Sequence, residues 1–192
     1  MATIPTNSFM KMLVTHPVLL LSSRRDRHNT LMPLIWYTPV SVDPPLIGIS
    51  IKPSCMSYHY IRESGDFLLG IPGSSMVKTV HFCGIHSGRD VDKILHLNLI
   101  TSRALAVSPL LIENCMATIE CRVRHIQSIG DHPFITGEVL HISAEYYYYN
   151  DDGWTPDASL IYYLGGSRYR IDDEIVDMSS LRPGYIPLDS IG

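Results

Sequence analysis

Apolar residues in this chain recur in short runs closed by proline, glycine or polar clusters, and the spacing inside most runs is that of strands. Residues 17–22 form the first run, and the polar stretch SSRRDRH, Ser22 to His28, that ends it reads as a loop. Residues 31–37 are dense in branched and aromatic side chains but include Pro33, which has no amide for a ladder and so predicts an edge or irregular strand. Pro39, Asp43, Pro44 and Pro45 make a rigid corner into a second β-branched run, residues 46–51, where Gly48 marks a close approach of backbone or ligand.

The period then changes. Ser54 is placed to cap a helix over residues 55–64, with Gly65 as its stop. A strand over 67–71 ends at Pro72 and Gly73, a second short helix over 75–83 ends at Gly84, and a helical turn falls within 91–95. From Cys115 the pattern alternates, which predicts a half-buried strand with Cys115, Ala117, Ile119, Cys121 and Val123 on one face. Gly130 and Asp131 turn into a strand over 133–142, and the tyrosines at 146–149 favour a strand by propensity. Residues 160–164 and 169–171 read as short strands around Gly165 and Gly166. Many short strands with a few short helices predict a mainly β fold, an antiparallel barrel, as a single domain over residues 1–192.

Composition narrows the function. With 45% hydrophobic and only 18% charged residues, some apolar surface is expected to lie under a partner subunit. A net charge of -4 argues against nucleic acid or anionic membranes as partners, and no apolar run is long enough to cross a bilayer, so a cytoplasmic protein is expected. Arg24, Arg25 and Arg27 are the one basic cluster, read as a solvated loop before a contact for a nicotinamide phosphate or an acidic partner. The four cysteines are not spaced as paired CxxC units and read as buried thiols. His81, Cys83 and His86 lie close in sequence but lack the further ligand pair of a closed zinc site, so no metal is expected. GxGxxG, GxxxxGK[ST] and GxSxG are all missing, which argues against a Rossmann fingerprint, a P-loop and a nucleophile elbow.

Two features carry candidate chemistry. The helix start at residues 54–57 would offer free amides and hydroxyls to a phosphate, with Lys52 near in sequence and Lys93 within reach in space; the alternative is an ordinary cap. His132 follows the Gly130–Asp131 turn, where an imidazole can shuttle a proton or donate to a developing anion.

Taken together, NTLMPLIW, PVSVDPPL, SIKPSCMSYHYIRESGDFLLGIP, CGIHSGRDVDK, LIENCMATIECRV and GDHPFITGEV, in that order, resemble the flavoredoxin and flavin reductase-like family, from about residue 17 to residue 169. The resemblance implies an FMN-binding split barrel acting as a homodimer. It implies an oxidoreductase passing electrons through FMN, either to a redox protein partner or from NADH or NADPH to flavin; the alternative is a non-catalytic flavin-binding or redox-sensing protein. On matching positions, Asn29 and the backbone of Thr30, Leu31 and Met32 would meet the polar edge of the isoalloxazine, with Trp36 beside it. Ser54 and Ser57 would hold the phosphate, and Lys93 would supply charge. The implied cofactor set also takes in Ser50, Lys52, Cys83, Gly84 and Ser87, with Tyr163 or Tyr169 as an aromatic wall. His132 would be the catalytic residue, near the flavin and the substrate. Two departures stand out: RRDRH replaces a loop that usually carries glycine, and Pro33 stands where relatives often have a hydroxyl residue.

Overall fold

A computed structural model describes residues 3–13 and 16–171. The part of the expected single domain beyond residue 171 lies outside the described residues. Helix α1 (Phe9–Leu13) leads into strands β1 (Leu19–Arg25), β2 (His28–Leu34), β3 (Tyr37–Ser41) and β4 (Leu46–Ser50). Helix α2 (Met56–Ser64), strand β5 (Asp66–Pro72), helices α3 (Val77–Ile85) and α4 (Lys93–His96), and strands β6 (Thr101–Arg103) and β7 (Leu110–Ile112) follow. The long strands β8 (Cys115–Gln127) and β9 (Phe134–Ala144) precede two small hairpins, β10 (Tyr149–Asn150) with β11 (Gly153–Trp154) and β12 (Tyr162–Gly165) with β13 (Arg168–Arg170).

Seven strands form one antiparallel sheet in the order β2-β1-β5-β8-β9-β4-β3. Strands β2 and β3 occupy opposite edges, yet only Ile35 and Trp36 separate them in the chain. Two residues span no more than about 10 Å, so the sheet curls until its edges meet without pairing. The barrel is therefore split along one seam, and the link 35–36 crosses it. Pro33, paired with Leu20, sits on this edge as its missing amide predicts.

Alternation along β1 sends side chains into two cores. Leu19 and Leu21 join Ile49, Phe67, Leu69 and Ile135, with Ile61 from α2. Val18 and Leu20 join Leu31, Met76 and Ile161, with Val80 and Cys83 from α3. The first core draws on strands all round the sheet and fills the barrel, while the second seals α3 against its outer face.

Several expectations are corrected. Residues 22–25 continue β1 rather than forming a loop, because β2 pairs with them as far as Arg25 opposite His28. The helix over 75–83 runs on through Gly84 to Ile85. The tyrosines at 146–149 mostly form a turn, with only Tyr149 in a strand. The single apolar face from Cys115 to Val123 is broken: Pro72 pairs with Cys115 and Ile71 with Ala117, so Met116 bulges, and Cys115 turns to the second core while Cys121 faces the first. The first part of the opposite face, Met116, Thr118 and Glu120, is buried too, and Glu120 accepts the amides of Leu105 and Ala106 at 3.0 and 2.6 Å. Gly48 contacts the protein's own aromatic ring, that of Phe134, rather than a ligand surface.

Candidate functional site

The seam opens into a cavity of about 370 Å³. Its walls are Met32, Pro33, Leu34, Ile35 and Trp36 from the crossing, Ser50, Ile51 and Lys52 from the end of β4, Cys55, His132, Tyr163 to Gly165 from β12, and Met10 from α1. Apolar side chains dominate, and Trp36 lies over His132 with ring centroids 4.3 Å apart and a 43° tilt. His132 Nδ1 is 2.8 Å from Asp131 Oδ1, and Lys52 Nζ is 3.8 Å from Asp131 Oδ2. The hydrogen bond from His132, aided by the His132 and Lys52 charges, holds the Asp131 carboxyl below its ordinary range.

A second cavity, of about 310 Å³, shares Met32, Pro33 and Cys55 with the first but is the more polar of the two. The start of α2 forms one wall, and it departs from the sequence expectation: the cap position is Cys55, not Ser54, and no side chain bonds the first turn. The amides of Met56 and Ser57 have no intrahelical acceptor, so this end of α2 presents donors and the positive end of the helix dipole. Opposite lie Cys83 to Gly88 and, from β2, Thr30. The loop approaches this closely because residue 88 is glycine; a Cβ there would overlap Thr30 Oγ1 and stand 3.1 Å from Met56 Sδ.

Lys93 opens α4, whose first turn is capped by Asp92 through the Leu95 amide at 3.1 Å. Its side chain is buried in the cavity wall, where Nζ donates to the Leu31 and Cys83 carbonyls, both at 2.7 Å. The ammonium thus ties β2 to α3. Burial lowers its pKa, against the pull of the Cys83 and Cys55 thiols, while burial pushes Cys83 up to about 11 despite Lys93.

A third cavity, of about 240 Å³, touches the other two through Pro33. Tyr169 reaches across it to His81 Nδ1 at 3.2 Å, so the β12–β13 hairpin rests on α3. Gly84 faces Pro33, where a Cβ would come within 3.1 Å of Cγ.

The sequence-selected residues distribute over these cavities. Trp36, Ser50, Lys52, His132 and Tyr163 line the apolar one, and Thr30, Ser54, Ser57, Cys83, Gly84, Ser87 and Lys93 the polar one. Met32 lines both, and Tyr169 the third. Two fall elsewhere: Leu31 lies in the second core and offers only its carbonyl, to Lys93, and Asn29 Oδ1 accepts the Leu110 amide at 3.2 Å. Sequence reasoning passed over Pro33 as a wall common to three cavities, Gly88, Cys55 and Asp131. Cys55 was read as buried but is half-buried between two cavities, whereas burial keeps Cys115 and Cys121 at about 12. The carboxylate adjacent to His132 was the one signal available for Asp131.

His86 stacks on Phe82 at 3.9 Å, and no metal-holding group of His, Cys, Asp and Glu occurs among the described residues. Arg24 is bonded to the Ser108 carbonyl, and Arg25 meets Glu63 at 3.4 Å and lies over the Tyr60 ring. No helix among the described residues is long and apolar enough to cross a membrane.

The family model for the flavin reductase like domain matches residues 10–168. A relative from Archaeoglobus fulgidus is 33% identical over 108 residues, 56% of this chain, which spans 61% of that protein's length. An NADH-dependent flavin reductase of Rhodococcus is 27% identical over 133 residues, 69% of this chain and 65% of that one. Among solved structures, the flavoredoxin of Methanosarcina acetivorans superposes with a TM-score of 0.80 at 26% identity, covering 94% of this chain and 95% of the other. An FMN-binding protein of Thermus thermophilus superposes at 0.81 and 24% identity, covering 92% and 97%, a likeness of fold.

Proposed function

The chain belongs to the flavin reductase-like domain family, and from that membership we propose that it binds FMN and acts through it as an oxidoreductase. The observation that carries this reading is the pair of adjoining cavities, one apolar with aromatic walls and one polar with a buried cation beside uncapped amides. An isoalloxazine needs a flat apolar wall and a few polar contacts, and a phosphate needs N–H donors and positive charge, so the residues present fit both ends of FMN. Bound FMN would supply the acceptance and release of a hydride or of single electrons.

The chain's own contributions follow. Ser54, Ser57 and Ser87 offer hydroxyls to the phosphate, the amides of Met56 and Ser57 offer N–H groups, and Lys93 offsets the charge. Trp36, Leu34, Ile35 and Tyr163 exclude water from the ring end. His132 is the group there that can give or take a proton, and Lys52 adds a cation at the same wall. Electrons are proposed to come from NADH or NADPH, a reading supported by the NADH-dependent relative, and to pass to flavin; the flavoredoxin likeness supports a redox protein as an alternative acceptor.

The test is the absorbance spectrum of the purified protein, then fluorescence quenching of added FMN and anaerobic mixing with each nicotinamide. A flavin band or saturable quenching, followed by bleaching with NADH or NADPH, is expected. A colourless protein that leaves FMN fluorescence unchanged would overturn the proposal, and bleaching only by a reduced protein would transfer it to the electron-transfer reading. His132→Ala is expected to keep FMN affinity and slow reduction.

A further inference from the structure

Asp131 is not a wall of the seam cavity, yet it is bonded to the imidazole that is. Two contacts hold that imidazole, the Trp36 ring at 4.3 Å and the Asp131 carboxylate at 2.8 Å on Nδ1; behind the carboxylate, the Lys52 ammonium lies 3.8 Å from Asp131 Oδ2. An ionised carboxylate has no proton to donate, so the proton in the Nδ1 to Oδ1 bond belongs to the imidazole. Free neutral imidazole side chains favour the opposite tautomer, with the proton on Nε2. A backbone feature makes the arrangement local: Gly130, at φ +56, turns the chain so that Asp131 and His132 stand side by side just before β9.

We infer that Asp131 is a positioning residue that keeps the His132 proton on Nδ1 and leaves Nε2 free for the occupant of the seam cavity. Among the described residues Nε2 has no hydrogen-bond partner, while Nδ1 is taken. In the neutral state Nε2 accepts a hydrogen bond or a proton, and once it carries a proton it donates. The hydrogen bond from His132 holds the carboxyl ionised, with a smaller contribution from the Lys52 charge. The assignment rests on the proposed reading of the seam only where it concerns reduction, because the tautomer belongs to the protein without ligand.

The experiment is nitrogen NMR of protein labelled with 15N-histidine, without added flavin and at a pH where the imidazole is neutral. Wild type is expected to show His132 protonated on Nδ1. Asp131→Ala is expected to move the proton to Nε2, and Asp131→Asn, whose amide oxygen still accepts, to keep it on Nδ1. In FMN-loaded protein, Asp131→Ala is expected to slow anaerobic reduction roughly ten- to a hundred-fold with FMN affinity unchanged. A wild-type His132 protonated on Nε2, or a tautomer unmoved in Asp131→Ala, would overturn the assignment. So would an unaltered reduction rate in Asp131→Ala that still binds FMN. Wild type that takes up no FMN would overturn the functional reading instead, and the tautomer measurement would then decide Asp131 alone.

Discussion

Lys93 shows how one residue can serve packing and chemistry together. Its ammonium satisfies two carbonyls, Leu31 of β2 and Cys83 of α3, and it lines the cavity proposed to take the phosphate. Lys93→Met keeps the stem and removes both roles. Losing a charged hydrogen bond to the ligand corresponds to roughly ten- to a hundred-fold weaker FMN binding, and the two unpaired carbonyls cost about 1–3 kcal/mol of stability. A quenching titration and a denaturation curve of the apoprotein would check each, and equal FMN affinity in the variant would remove Lys93 from the site. The same residue sets opposite pH trends. Burial lowers its pKa below that of an unfolded lysine, so between the two values the unfolded chain binds the extra proton, and this group's contribution to stability rises with pH. FMN affinity should fall over that same window, because the folded protein loses the cation. Titrations from neutral pH to the ordinary lysine range would show the two curves diverging, beside a flat response in Lys93→Met.

At the level of elements, β4 explains why its glycine cannot be read as a ligand contact. The strand is paired on both sides, Gly48 with Thr38 of β3 and with Thr136 of β9, and the Phe134 ring covers the space a side chain would fill. A Cβ at residue 48 would overlap that ring and stand 3.0 Å from Val40 Cγ2. Gly48→Ala is therefore expected to destabilise by about 1–3 kcal/mol, with part regained on adding Phe134→Leu, and a denaturant midpoint measures both. No recovery in the double variant would place the strain elsewhere. Pro33 was legible as an edge residue because a missing amide is a local property. Gly48 was not, because which ring approaches a glycine depends on a strand more than eighty residues later in the chain.

The whole molecule is a barrel left open where its edge strands meet, and the cavities lie along that opening. Ile142 near the end of β9 and Tyr146 and Tyr147 just beyond it are large side chains with 61%, 71% and 63% of their surface exposed. A homodimer covering this region is the proposal they support. Sedimentation should give twice the chain mass for wild type, and Ile142→Glu with Tyr146→Glu should give the monomer; a wild type that sediments as a monomer would reject it.

The sequence by itself determined the mainly β class, the edge character of Pro33 and most of the residues that line the cavities. These depend on side-chain period, on a missing donor and on ordered blocks of residues, all readable within a few positions. Tertiary structure alone decided that Asn29 binds the Leu110 amide, and that Lys93 bridges β2 and α3. It also brought Trp36 over His132. Each of these depends on closing the sheet around the seam, which brings together backbone groups from distant parts of the chain, and no local pattern encodes which of them will meet.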